Sequence, residues 1–267
     1  MTANKATLAL GLAGGLVLAS ASSALDLSGG KWVDLTHPFS EETIYWPTAD
    51  GFAKETVFEG KTEGGYYYSA FNYRAAEHGG THLDAPVHFA EGRRAADQIP
   101  LEQLIGPAVV IDVSSKAGGD RDYQITPDDV RTWEAEHGEV PGGAIVLFDT
   151  GSARFWPDRI KYMGTDERGA GAVAKLHFPG VHPDTARFLG EEREIRAVGL
   201  DTPSLDHGQS KDFMTHRVLG ERDIPGFENV ANLDGLPPTG ATVVALPMKI
   251  EGGSGGPLRI VAFVPNG

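Results

Sequence analysis

The densest chemistry in the chain lies in Glu77-His78-Gly79-Gly80-Thr81-His82-Leu83-Asp84-Ala85-Pro86-Val87-His88-Phe89. Three imidazoles and a carboxylate at even-numbered positions are the donor types that hold a divalent ion through nitrogen and oxygen. The chain has no cysteine, which excludes thiolate ligands, disulfides and a cysteine nucleophile. A helix through this stretch is opposed by Gly79, Gly80 and Pro86. A straight strand fails as well, because it would set His78 and His82 about 13 Å apart, too far for one ion. The glycine pair must therefore turn the chain, whereas His82 and Asp84, about 7 Å apart along a strand, reach one ion directly. One isolated histidine would be read as a hydrogen-bonding turn residue. Three with an aspartate read as a metal site built on His78, His82 and Asp84.

Elements able to carry such a site recur along the chain. Short apolar runs stand at Trp32–Leu35, Ala108–Val113, Ala144–Phe148, Ala197–Leu200, Ala241–Leu246 and Leu258–Val264. Their length and β-branched content predict buried strands. Thr126-Pro127-Asp128-Asp129 predicts a capped helix through about Glu136, and His182-Pro183-Asp184 one through about Leu189. Glycine (35) and proline (17) are spread evenly, so no break marks a domain boundary. The expectation is one mixed α/β domain over residues 25–267.

The segment His78-Gly79-Gly80-Thr81-His82-Leu83-Asp84-Ala85-Pro86-Val87-His88-Phe89 resembles the signature of the cyclase family of metal-dependent amide hydrolases. That family includes kynurenine formamidases and isatin hydrolases. Ile44-Tyr45-Trp46-Pro47, Gly199–Ser204 and the His216–Glu228 segment are similar to it too. The resemblance implies a mixed β-sheet core of the swivelling β/β/α type. It implies a first ion on His78, His82 and Asp84, with Asp84 able to bridge to a second and His216 and Glu228 completing the site. One or two manganese or zinc ions per subunit follow, with His88 as proton donor and acceptor and Trp46 against the substrate ring. It also implies a homodimer or homotetramer. The implied reaction is hydrolysis of a C–N bond in a small aryl amide. The ion supplies water of lowered pKa, and His88 moves the proton to nitrogen.

Ring opening of a cyclic amide such as isatin is favoured by the length of chain between Asp84 and His216. Glu228 is the acidic residue of the formamidase pattern, which keeps N-formylkynurenine as the alternative. An exported binding module with a structural metal is the reading from another class. From the residues alone, His216 and Glu228 each need a folded loop to reach the site. Tyr66, Tyr67, Tyr68, Phe71 and Tyr73 cluster before the signature; on a strand they alternate between core and surface, and Phe71 and Tyr73 join Trp46 as candidate substrate contacts. His137 is expected at the surface and His37 in a structural role. His177 and His207 are expected to be structural or to support ligands.

Gly252-Gly253-Ser254-Gly255-Gly256-Pro257 lacks the lysine and helix of a phosphate-binding loop and is expected to be a mobile loop. Gly151-Ser152-Ala153 is not a nucleophile elbow. A net charge of −14 argues against nucleic acid and against anionic membrane. Lys5, the apolar run Ala6–Ala19 and the small residues through Ala24 fit a signal peptide over residues 1–24, hence export to a periplasm.

Overall fold

The computed structural model describes residue 27 and residues 29–266. The expected signal peptide lies outside the described residues. The strands are β1 Gly30–Asp34, β2 Ala53–Lys61, β3 Tyr67–Arg74, β4 His82–Asp84, β5 Ile105–Asp112, β6 Gln124–Ile125, β7 Ile145–Asp149, β8 Gly180–Val181, β9 Ala197–Leu200, β10 Gly226–Glu228, β11 Thr242–Pro247 and β12 Gly255–Pro265. The main sheet runs β1-β12-β11-β5-β7-β9-β10-β4, and β12 also pairs with β4, so the sheet closes on itself as a barrel. All six apolar runs of the sequence are strands of this sheet.

Closure depends on β12. Its first residues pair with β4, from Gly255 opposite Asp84 to Pro257 opposite His82. Its later residues pair with β11 and β1. Glycine at the start lets the strand turn where backbones crowd: a side chain on Gly255 would stand 2.5 Å from the Leu83 carbonyl oxygen. At the centre, β5, β7 and β9 are parallel and buried on both faces. Their side chains alternate accordingly. Ala108, Val110, Ile145 and Leu147 fill the barrel interior. Val109, Ile111, Val146 and Phe148 pack outward into a second core.

That outer core is covered by helices. The longer ones are α3 Pro127–His137 and α6 Pro183–Glu192, with short α1 Leu101–Leu104, α2 Ser114–Gly119, α4 Arg159–Met163, α5 Ala170–Val173 and α7 Met214–Gly220. The predicted cap on α3 is a capping box formed by Thr126 and Asp129. The β2–β3 hairpin stands apart as its own two-stranded sheet, exposed along almost its whole length.

Candidate metal centre and active site

Three elements meet where β4 emerges from the barrel. His82 and Asp84 lie on β4 and share a face, while Leu83 between them points into the barrel core. β10 pairs antiparallel with β4, putting Glu228 opposite His82. α7 brings His216 over the same face, buried against Asp84. Both residues had been expected on folded loops. A strand and a helix hold them instead, because the ladder to β4 fixes Glu228 and Asp206 anchors the start of α7 through the Thr215 and His216 amides.

The turn before β4 follows the glycine logic. Gly80 sits in the left-handed region at φ 59°. Gly79 is needed for space, because a side chain there would strike the Tyr45 ring. Asn229 locks the turn: its Nδ2 donates to the Gly80 carbonyl (2.8 Å), its Oδ1 accepts from the Tyr162 hydroxyl (2.9 Å), and its own carbonyl accepts from Thr81 Oγ1 (2.7 Å). His78 is thereby returned to Asp84, with Nδ1 2.6 Å from Oδ1.

The donor atoms form two overlapping sets, His78/His82/Asp84 and Asp84/His216/Glu228, each within 4.8 Å. His82 Nδ1 donates to the Gly80 carbonyl (2.9 Å), which aims Nε2 at Asp84 Oδ1 (3.2 Å) and Glu228 Oε2 (3.4 Å). That buried Nε2 has no hydrogen-bond partner of proper geometry. His216 Nδ1 donates to Asp206 Oδ2 (2.5 Å), and its Nε2 faces Asp84 Oδ2 and Glu228 Oε1, both at 3.0 Å. Carboxylate- or carbonyl-anchored imidazoles turned toward a shared carboxylate are the arrangement of metal-bound histidines. The residues present fit a divalent ion held by His78, His82, Asp84, His216 and Glu228.

The electrostatics agree. Burial disfavours charge on His82, yet Asp84 and Glu228 outweigh it and raise the imidazole to about 9. Burial works against ionised Asp84 too, but His78, His216 and His82 hold it well below the usual carboxylate range. Burial and the Asp84 charge push Glu228 up. The field that holds protons on these imidazoles would equally recruit a cation.

His88 ends a single 3-10 turn, Pro86–His88, and stacks on His78 with ring centroids 3.8 Å apart. Burial, helped by the neighbouring imidazoles, lowers it to about 4 despite Asp84, which favours the neutral imidazole. Above the cluster opens a cavity of about 290 Å³. Trp46, Phe89 and Phe213 supply aromatic walls, with Tyr45 beneath. Phe213 packs on Phe89 (5.2 Å) and edge-on to Trp46 (6.3 Å). It holds φ 50° at the start of α7, a left-handed conformation rare for a bulky residue.

Trp46 is therefore in the cavity wall, as expected. Phe71 and Tyr73 are not: both lie on the exposed hairpin, with Tyr73 55% exposed. Strand alternation cannot bury one face of a hairpin that meets the rest of the domain through few contacts, such as Tyr73 stacked on Phe52 (5.9 Å). His137 is exposed, and His37 stacks on Trp156 (4.2 Å). His177 pairs with Asp122 (2.7 Å), and neither His177 nor His207 lines this cavity. The glycine-rich loop expected to be mobile is tied down at Gly252, Gly253 and Ser254. Phe213, Asp206, Asn229 and Ser254 were missed. Asp206 follows Gly199–Ser204, Asn229 follows Glu228 and Ser254 lies within the glycine-rich segment, so three of the four stood in or beside segments already singled out.

A closed mixed barrel with a buried histidine–carboxylate centre at the foot of an aromatic cavity is the architecture of a metal-dependent hydrolase. The family model described as "Putative cyclase" matches residues 33–207, and the chain belongs to that family. It is 33% identical to isatin hydrolase of Roseibium aggregatum over 92% of this chain and 99% of that protein. It is 30% identical to kynurenine formamidase of Salinibacter ruber, over 86% of this chain and 95% of that protein. The solved structure of isatin hydrolase A from Labrenzia aggregata bound to benzyl benzoate superposes with a TM-score of 0.79 at 35% identity, covering 88% of this chain and 94% of that one.

Proposed function

We propose that this protein is a metal-dependent amidohydrolase that opens a small cyclic aryl amide such as isatin. The observation that carries it is the convergence of His78, His82, Asp84, His216 and Glu228 beneath an aromatic-walled cavity. The likeness to isatin hydrolase over nearly the whole chain supports it. A divalent ion, manganese or zinc, held by these five residues would supply a water acidified to near neutrality and would polarise the amide carbonyl. His88, neutral and stacked beside the ligands, takes the proton from the nucleophile and returns it to the leaving nitrogen. Trp46, Phe89 and Phe213 hold the flat ring.

A second reading, removal of formate from N-formylkynurenine, is favoured by Glu228 and by the kynurenine formamidase relatives. A binding module with a structural ion fits less well, because structural sites are closed by protein ligands while this cluster faces an open cavity. Export and self-association belong to the proposal too. The sequence of residues 1–24 supports the first, and the exposed aromatic hairpin supports the second. The test is turnover of isatin and N-formylkynurenine by metal-loaded and chelator-treated protein. Faster, metal-dependent opening of isatin is expected. Preference for N-formylkynurenine would favour the second reading, and saturable binding without turnover of either would overturn both.

A further inference from the structure

The glycine-rich segment before β12 reaches the metal centre through one hydroxyl. Ser254 Oγ donates to Glu77 Oε2 (2.7 Å), and the Ser254 amide donates to the same oxygen (3.0 Å). With its only proton committed there, the hydroxyl can only accept from His78 Nε2, 2.8 Å away. That places a proton on Nε2 and makes Nδ1 the nitrogen turned to Asp84. Nδ1 lies 2.6 Å from Asp84 Oδ1, close enough for a proton or a metal ion to be shared between the two.

We infer that Glu77 and Ser254 are positioning residues that fix the tautomer and the ring plane of His78, so that it presents Nδ1 to the ion. The inference rests on the metal centre proposed above.

The backbone around Ser254 is built to hold it. The Ala85 amide donates to the Ser254 carbonyl (2.9 Å), tying the loop to the residue after Asp84. The Ala96 amide donates to the Gly253 carbonyl, and Asp97 Oδ1 accepts from the Gly252 amide, both at 2.9 Å. The flanking glycines are close-approach residues. A side chain on Gly253 would come 3.1 Å from Glu77 Oε1, and one on Gly255 would come 2.6 Å from His78 Cε1. His82 and His216 have their own anchors in the Gly80 carbonyl and Asp206. Glu77 and Ser254 give His78 the one it would otherwise lack, since it is the least buried of the three. Outer partners of this kind typically contribute about 10–100-fold in metal affinity.

The test is titration of ion-free protein with Mn²⁺ against a chelating fluorophore, with no substrate present. Ser254→Ala and Glu77→Ala should each weaken the affinity about 10–100-fold, with the ion-free melting temperature unchanged. The double variant should be no weaker than the weaker single, because both break the same relay. Ser254→Thr, which keeps the hydroxyl, should bind within a few-fold of wild type. Wild-type affinity in Ser254→Ala, or losses that add fully in the double variant, would overturn the relay. A wild type that takes up no ion would overturn the metal centre and the relay with it.

Discussion

Two neighbouring stretches of the chain, each rich in rings, have opposite fates. Between Ala53 and Arg74 the aromatic residues lie on a hairpin that touches little of the domain, with Tyr66 65% exposed. From His78 to Phe89 the side chains are folded inward, and His82 and Asp84 are buried on a strand whose two neighbours are β10 and β12. The difference is one of tertiary pairing. β4 is three residues long but sits inside a closed barrel, so its side chains converge on partners from distant chain positions. β2 and β3, nine and eight residues long, pair only with each other. Residue type suggests chemistry, and convergence decides it.

The comparison is broken most severely by removing a ligand. His82→Ala or Asp84→Ala should lose the ion and turnover together, down to the level of buffer, measured as metal content beside rate. Asp84 serves both donor sets, so its loss should be the more complete. His88→Ala separates the two properties. It should keep its ion and lose about 10²–10⁴ in kcat; an emptied site would move His88 among the ligands.

Smaller effects sharpen the contrast between the two aromatic groups. Trp46→Ala should raise KM for an aryl amide about 3–10-fold, with a lesser change in kcat, because it removes one ring contact from the cavity wall. Tyr66→Ser with Tyr67→Ser on the hairpin should leave metal content untouched and shift self-association toward monomer on size exclusion. A loss of metal there would mean that the hairpin supports the site.

The smallest effect concerns a buried acid that no imidazole answers. Burial first, then the charges of Asp201 and Asp112, raise Asp149 to about 6, the reverse of Asp84. The folded chain then holds that proton more tightly than the unfolded one. Stability should therefore fall as pH rises from about 4 to about 6, with the full penalty above that. Asp149→Asn keeps an oxygen for the Gly151 amide and should gain about 1–2 kcal/mol at pH 7 but nothing at pH 3.5. Denaturant melts at the two pH values check it.

Much of this was legible in the sequence. Six of the eight strands of the barrel are β-branched runs long enough to identify alone, and Thr126-Pro127 marks its helix by chemistry that acts within one turn. His78, His82 and Asp84 were legible because seven residues hold all three. His216 and Glu228 were found only through family likeness, since the pairing of β10 with β4 is not written locally. Phe213 and Ser254 were missed for the same reason. A phenylalanine after Asp212 carries no sign that it takes a left-handed conformation, and a serine among glycines reads as linker until β12 is seen to bend onto β4. Phe71 and Tyr73 stand outside the cavity because the hairpin that carries them is exposed, which ring type alone does not reveal.

The central claim is that the buried cluster closes on a divalent cation. Elemental analysis of protein purified without chelator, beside Asp84→Ala handled identically, tests it most directly. One or two equivalents of manganese or zinc in the wild type, and none in the variant, is the expected result. A folded wild type that hydrolyses isatin with no bound metal, or an Asp84→Ala variant that keeps its full complement, would contradict it.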